Sequence, residues 1–113
     1  MTALSFTLFD TPIGTCGLIW SARGIAGLQL PEASAQATRS RVKRRWPGVT
    51  ETTPPSGVQR ALDRVQALLA GRAINLEDIP LDLEAAPEFN RKVYEVARTI
   101  PPGRTMTYGE IAR

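Results

Sequence analysis

The apolar residues between Pro87 and Ile100 recur at helical spacing, and they constrain the fold of this 113-residue chain more than any other feature of its sequence. They are Phe89, Val93, Val96, Ala97 and Ile100. Because residues three and four apart share one face of a helix, this stripe indicates a helix that buries one side. Pro87 suits the first helical position. The pattern therefore predicts a helix from Pro87 to Ile100.

Proline and glycine end this predicted helix. The run Pro101–Gly103 cannot continue a helix and turns the chain. Thr107 and Glu110 then have the spacing of a capping box, so a second helix is predicted to begin there. A newly capped helix does not normally end a protein. We therefore expect that the chain stops inside a domain.

The first third of the chain has the pattern of strands. The runs Ser5–Phe9, Gly14–Trp20 and Ile25–Leu30 are apolar and separated by turns, which predicts an antiparallel meander. A helix is predicted from Pro31 to about Arg45, and Val49–Thr53 is predicted to be a short edge strand.

A further helix is predicted after Pro55. Ser56 and Gln59 have capping-box spacing, and Gly71 marks the end of the helix. Its apolar stripe is Val58, Ala61, Leu62, Val65, Leu68 and Leu69. The polar, acidic run from Arg72 to Ala86 is interpreted as connective. The sequence thus predicts an α+β fold, with helices on one side of a small antiparallel sheet, and two domains, 1–80 and 81–113.

The composition is typical of a globular protein. The hydrophobic content of 42% suffices for a core, and the sequence has neither a long apolar run nor a signal peptide. One cysteine permits no internal disulfide. We expect a soluble, cytoplasmic protein. Its net charge of +3 is uneven, with a basic cluster at Arg39–Arg45. A solvated helix face is the simpler interpretation of that cluster, and contact with phosphates is the alternative.

Several motifs together resemble one known family. Lys92–Tyr94, Ile100-Pro101 and the run Thr107–Ala112 resemble the start of the C-terminal domain of O6-alkylguanine-DNA alkyltransferases, the methylated-DNA–protein-cysteine methyltransferases. Phe9–Thr15 and Gly24–Leu28 resemble the opening strands of the same family. The resemblance implies a structural, ribonuclease-H-like N-terminal domain, followed by the first helices of an incomplete winged-helix or helix-turn-helix domain.

The resemblance also implies a partner and a reaction. The complete protein would bind duplex DNA that carries O6-alkylguanine and transfer the alkyl group to its own cysteine, within a Pro-Cys-His-Arg motif. This sequence has no histidine and a single cysteine, Cys16, which we interpret as a buried strand residue. The chain is therefore predicted to be inactive alone, and whether it is an enzyme stays open. The alternative is a non-catalytic structural or interaction module.

Candidate site residues follow from the same resemblance. Tyr108 would press on the DNA backbone and help to rotate a nucleotide out of the stack, although a tyrosine packed on the preceding helix is the simpler interpretation. Apart from the resemblance, Arg91, Lys92 and Arg113 are candidate phosphate contacts, since Arg91 and Lys92 lie off the apolar stripe. No metal site and no cofactor are expected, because the chain has no histidine and no cluster of ligands. The Phe89–Ile100 stripe is expected to pack on the N-terminal domain, pair with another chain in self-association, or aggregate.

Overall fold

The structure, a computed structural model, describes residues 3–100 and has an α+β fold, as predicted. Its elements are β1 Ser5–Thr11, β2 Gly14–Ser21, β3 Gly24–Gln29, α1 Ala35–Arg45, β4 Thr50–Glu51, α2 Ser56–Leu69 and α3 Phe89–Arg98. The second helix predicted from Thr107, with Tyr108 and Arg113, lies outside the described residues. Within residues 3–100, none of the helices has both the length and the apolar character needed to cross a membrane.

The sheet has the strand order β3-β2-β1-β4. The meander is confirmed, because β1 and β3 both pair antiparallel with β2. The fourth strand is an edge strand, as predicted, but it pairs parallel with β1 through Thr50 and Glu51. The prediction of an antiparallel sheet is therefore confirmed for β1, β2 and β3 and wrong for the pairing of β4 with β1. After β3, α1 returns the chain to the end of the sheet at which β3 began. β4 therefore runs in the same direction as β3 and β1.

Helices cover both faces of the sheet. On one face, Val42 of α1 packs with Phe6, Ile19 and Ala26. On the other face, α2 and α3 pack with a second cluster that includes Leu18 of β2. The prediction that the helices lie on one side is therefore wrong. The reason lies in β2, which is buried from Cys16 to Ser21 and so presents apolar side chains to both layers.

The helix starts differ from the predicted ones. α1 begins at Ala35 rather than near Pro31, because the Ser34 hydroxyl accepts a hydrogen bond from the Ala37 amide and caps the helix. α2 begins at Ser56 itself, with Pro55 at the cap position and no side-chain cap, so the predicted capping box is wrong. α3 begins two residues after Pro87. It is preceded by a turn in which backbone amides donate hydrogen bonds to the Asp82 carbonyl.

The apolar stripe of α3 is buried within the chain. Phe89 is 3% exposed and Val93 is 0% exposed, and both join the cluster formed by α2 and the sheet. The expectation that the stripe packs on the N-terminal part is confirmed. Phe89, Val93 and Ile100 are buried and Val96 and Ala97 are half-buried, so the stripe is not exposed as expected, and nothing among the described residues supports the predicted self-association.

The segment between α2 and α3 is bound to the sheet. The Ile25 amide donates to the Pro80 carbonyl at 2.9 Å, and the Asp82 amide donates to the Ile25 carbonyl at 2.9 Å. The Ser21 hydroxyl donates to Oδ2 of Asp82 at 2.8 Å. This hydrogen bond holds the pKa of the Asp82 carboxyl below its usual value. The connective segment thus forms a latch, defined here as residues 80–82, on the free edge of β3.

Candidate nucleic-acid interface

Arg91 is exposed on α3, but two carboxylates share its charge. Its guanidinium forms ion pairs with Glu88 at 2.8 Å and with Glu95 at 3.2 Å. The hydrogen bond that Arg91 donates to the Glu88 carboxylate raises the pKa of Arg91, which stays protonated in any case. Exposed pairs of this kind contribute little to stability. The side chain is therefore held at the surface, with its charge locally compensated.

Lys92, next to Arg91, borders a groove of about 690 Å³ between α3 and the sheet. One wall contains Leu28 of β3, Arg45 at the end of α1 and Trp46, which follows α1. The other wall is the Lys92 face of α3, with Thr99 at its end. The C-terminal end of α1 and α3 therefore lie across one groove from each other.

Two polar side chains of α3 bind the main chain of Leu76. The Leu76 amide donates to the Tyr94 hydroxyl at 2.8 Å, and Nδ2 of Asn90 donates to the Leu76 carbonyl at 3.0 Å. The Leu76 side chain is buried in the same cluster as Val93. Both polar groups of this buried peptide are thereby satisfied by α3. These contacts fix α3 to the segment that precedes it.

Sequence reasoning missed the role of Asn90. The sequence indicates Tyr94 only as part of the family resemblance, and it predicts no role for Asn90. The available signal is their spacing of four residues, which places both on one side of the helix, next to the apolar stripe.

Cys16 is buried in β2, which confirms its interpretation as a buried strand residue. Its Sγ lies 3.7 Å from the Thr11 hydroxyl oxygen. Burial raises the pKa of the thiol to about 11. Because the thiolate is the nucleophile, this cysteine is poorly suited to accept an alkyl group.

We expect Cys16 to react slowly with a disulfide reagent such as DTNB. At pH 8, a thiol with a pKa of about 11 is about one part in a thousand thiolate. Labelling of the native chain should therefore be at least about 100-fold slower than labelling of the chain unfolded in guanidinium chloride. Native and unfolded rates within a few-fold of each other would show that the thiol is accessible and ionised.

Two carboxylates of the segment between α2 and α3 have structural partners rather than a shared site. Asp82 binds Ser21, and Asp78 forms an ion pair with Arg64. Within residues 3–100, no group of three or more potential ligands could hold a metal ion.

A family model matches the segment that contains α3. The 6-O-methylguanine DNA methyltransferase DNA-binding domain matches residues 88–113. The methylated-DNA–protein-cysteine methyltransferase of Methanothermobacter thermautotrophicus is 26% identical over 101 residues, which is 89% of this chain and 51% of that protein. The resemblance to this family is confirmed.

Two further relatives extend the comparison. The methylated-DNA–protein-cysteine methyltransferase of Mycobacterium bovis is 29% identical over 109 residues, which is 96% of this chain and 59% of that protein. The bifunctional transcriptional activator/DNA repair enzyme Ada of Escherichia coli is 29% identical over 110 residues, 97% of this chain and 30% of that protein. The chain thus spans about half the length of the methyltransferases that it matches. In the matched DNA-binding segment, α3 is the first element of structure.

Proposed function

We propose that this chain supplies the N-terminal domain and the first helix of the DNA-binding domain of an O6-alkylguanine-DNA alkyltransferase. The observation that carries this proposal is the family match that begins at residue 88, in register with a helix that is packed on the sheet domain. In the proposed reaction, the complete protein transfers an alkyl group from O6-alkylguanine in duplex DNA to its own cysteine.

The proposed division of labour follows from the way α3 is held. Residues 1–80 would form a structural platform, and residues 81–113 would begin the DNA-binding domain. The platform fixes α3 through the buried Phe89 and Val93 and through the hydrogen bonds to Leu76. A rigid element positions DNA contacts more accurately than a loop does.

Three residues are proposed to contact DNA. Arg91 can reach phosphates from the surface of α3, because its guanidinium has five N–H donors and two carboxylates do not use them all. Arg113 is proposed as a second phosphate contact. Tyr108 is proposed to press on the backbone as the target nucleotide leaves the stack, a step that costs a few kcal/mol.

The acceptor is proposed to lie outside these 113 residues. In the transfer, a thiolate sulfur bonds to the alkyl carbon, the bond from that carbon to guanine O6 breaks, and the guanine takes up a proton. Cys16 is the single thiol of the sequence. Its burial and its pKa of about 11 oppose such a role. We therefore expect no alkyl transfer from the chain by itself.

A chimera tests this proposal. The chain would be joined to the downstream part of the Mycobacterium bovis relative and incubated with duplex DNA carrying O6-methylguanine. Intact mass should then increase by one methyl group. The same chimera with its acceptor cysteine changed to serine should gain none, and neither should the unmodified chain.

Two results would contradict the proposal. One is a chimera that folds and binds DNA but gains no methyl group under conditions in which the intact relative does. That result would favour the alternative, a non-catalytic structural or interaction module. The other is a methyl group found on Cys16 of the unmodified chain.

A further inference from the structure

The solvent side of α1 is strongly basic. Its buried residues are Thr38 and Val42, which face the sheet. The remainder of the helix carries the half-buried Arg39 and the exposed Arg41, Lys43, Arg44 and Arg45. No acidic residue lies within the helix to offset these charges.

Some of these basic residues have partners within the fold, and others do not. Arg39 binds Glu51 at 2.7 Å on one flank of the helix. On the other flank, Arg45 donates to Gln29 at 2.8 Å, and its guanidinium lies 4.3 Å from the centre of the Trp46 ring. Arg39 and Arg45 therefore both stabilise contacts within the fold.

Arg41 and Arg44 are exposed and make no hydrogen bond or ion pair with any of residues 3–100. They stand three residues apart, and Arg45 follows Arg41 by four, so the three share one face of the helix. Like charges at this spacing destabilise a helix by a few tenths of a kcal/mol. The fold therefore gains no contact from Arg41 and Arg44, which together with Arg45 form what is called here the arginine face.

One end of the arginine face reaches the groove that α3 lines, although α1 and α3 pack on opposite faces of the sheet. Arg45 borders the same groove as Lys92 of α3. Glu88 and Glu95 also line this groove, so its interior does not favour an anion. Arg41 and Arg44, whose charges are unpaired, lie outside the groove lining, so an extended polyanion would contact them along the exposed side of α1.

We infer that the arginine face of α1 is a second phosphate-contact surface for duplex DNA. This inference rests on the proposed function for the choice of DNA as partner. Duplex DNA carries one charge per about 1.7 Å of axis, which suits a row of arginines, and such contacts add affinity without sequence preference. A membrane surface fits less well, because the large apolar side chains exposed among residues 3–100, Leu30 and Leu83, both lie outside α1.

The test compares two double variants of equal charge change. Arg41→Gln with Arg44→Gln removes the unpaired charges of the arginine face. Arg60→Gln with Arg72→Gln is the matched control, since both residues are exposed and Arg60 belongs to α2, which packs on the opposite face of the sheet. Affinity for a short undamaged duplex would be measured by fluorescence anisotropy over a range of NaCl concentrations.

The arginine-face variant should bind more weakly at low salt. The slope of log K against log[NaCl] should become shallower by about 2, since each phosphate contact contributes about 0.9. The control should keep the wild-type slope, and both variants should keep the wild-type circular dichroism and melting temperature. Lesion-free and lesion-containing duplexes should be affected equally.

Several outcomes would overturn the inference. They are no measurable binding by the wild-type chain at low salt, an unchanged slope in the arginine-face variant, or equal changes in both variants. A variant that loses binding to phosphatidylglycerol vesicles but not to DNA would assign the surface to membranes instead. The proposed function is judged separately by methyl transfer to the chimera, which can fail while the salt slope still shows the arginine contacts.

Discussion

Replacing Phe89 by alanine is expected to destabilise the chain by about 3–5 kcal/mol. The side chain is 3% exposed and packs in the cluster that joins α3 to α2 and the sheet. Its removal would leave a cavity that the surrounding residues cannot fill completely. Since small domains are stable by only about 5–15 kcal/mol, the loss should be evident in urea unfolding followed by circular dichroism.

Leu83→Ala is the matched control for Phe89→Ala. Leu83 is 67% exposed and lies in the same stretch of chain, so its replacement should change the free energy of unfolding by less than about 0.5 kcal/mol. Equal, small effects of the two substitutions would show that α3 is not part of the core.

Replacing Gly24 by alanine is expected to cost about 2–4 kcal/mol through strain and a clash. Gly24 has φ +139°, a conformation that other residues rarely adopt. An added Cβ would lie 2.6 Å from the Pro80 carbonyl oxygen. Because these are backbone atoms, the latch would have to move away from the sheet. Urea unfolding measures the loss, and faster amide exchange at Ile25 and Asp82 would locate it.

Gly57→Ala is the control for the same chemical change. Gly57 lies in the first turn of α2, and nothing lies within 4 Å of its added Cβ. Alanine should therefore stabilise the chain, by at most about 1 kcal/mol. If Gly24→Ala were as well tolerated as Gly57→Ala, the close packing of the latch on β3 would be refuted.

Elements with a strong periodic signal could be predicted from the sequence. The apolar stripe from Val58 to Leu69 predicted the position of α2, and the stripe that begins at Phe89 predicted that of α3. Both predictions succeeded because a three- and four-residue spacing depends on local geometry alone. The turns at Pro12 and Gly24 separated the first three strands correctly. The continuous apolar run of β2 also indicates a strand that is buried on both faces, and hence helices on both sides of the sheet.

The long-range polar contacts could not be predicted. Ser21 and Asp82 are 61 residues apart, and no pattern of spacing links them. The contacts between Leu76 and α3 likewise depend on where the connecting segment passes. At the candidate interface, the exposure of Arg91 could be anticipated, and so could its ion pairs, since Glu88 and Glu95 stand at helical spacing from it.

Hydrogen exchange of α3 tests most directly the claim that the sheet domain and the start of the segment matched by the family model form one folded unit. Amides in the middle of α3, such as those of Val93 and Val96, should open with the same free energy as the amide of Leu18 in β2. The shared core of Phe89, Val93 and α2 requires this common opening. Rapid exchange throughout α3, with β2 still protected, would contradict the account, because the platform would then not hold the helix proposed to approach DNA.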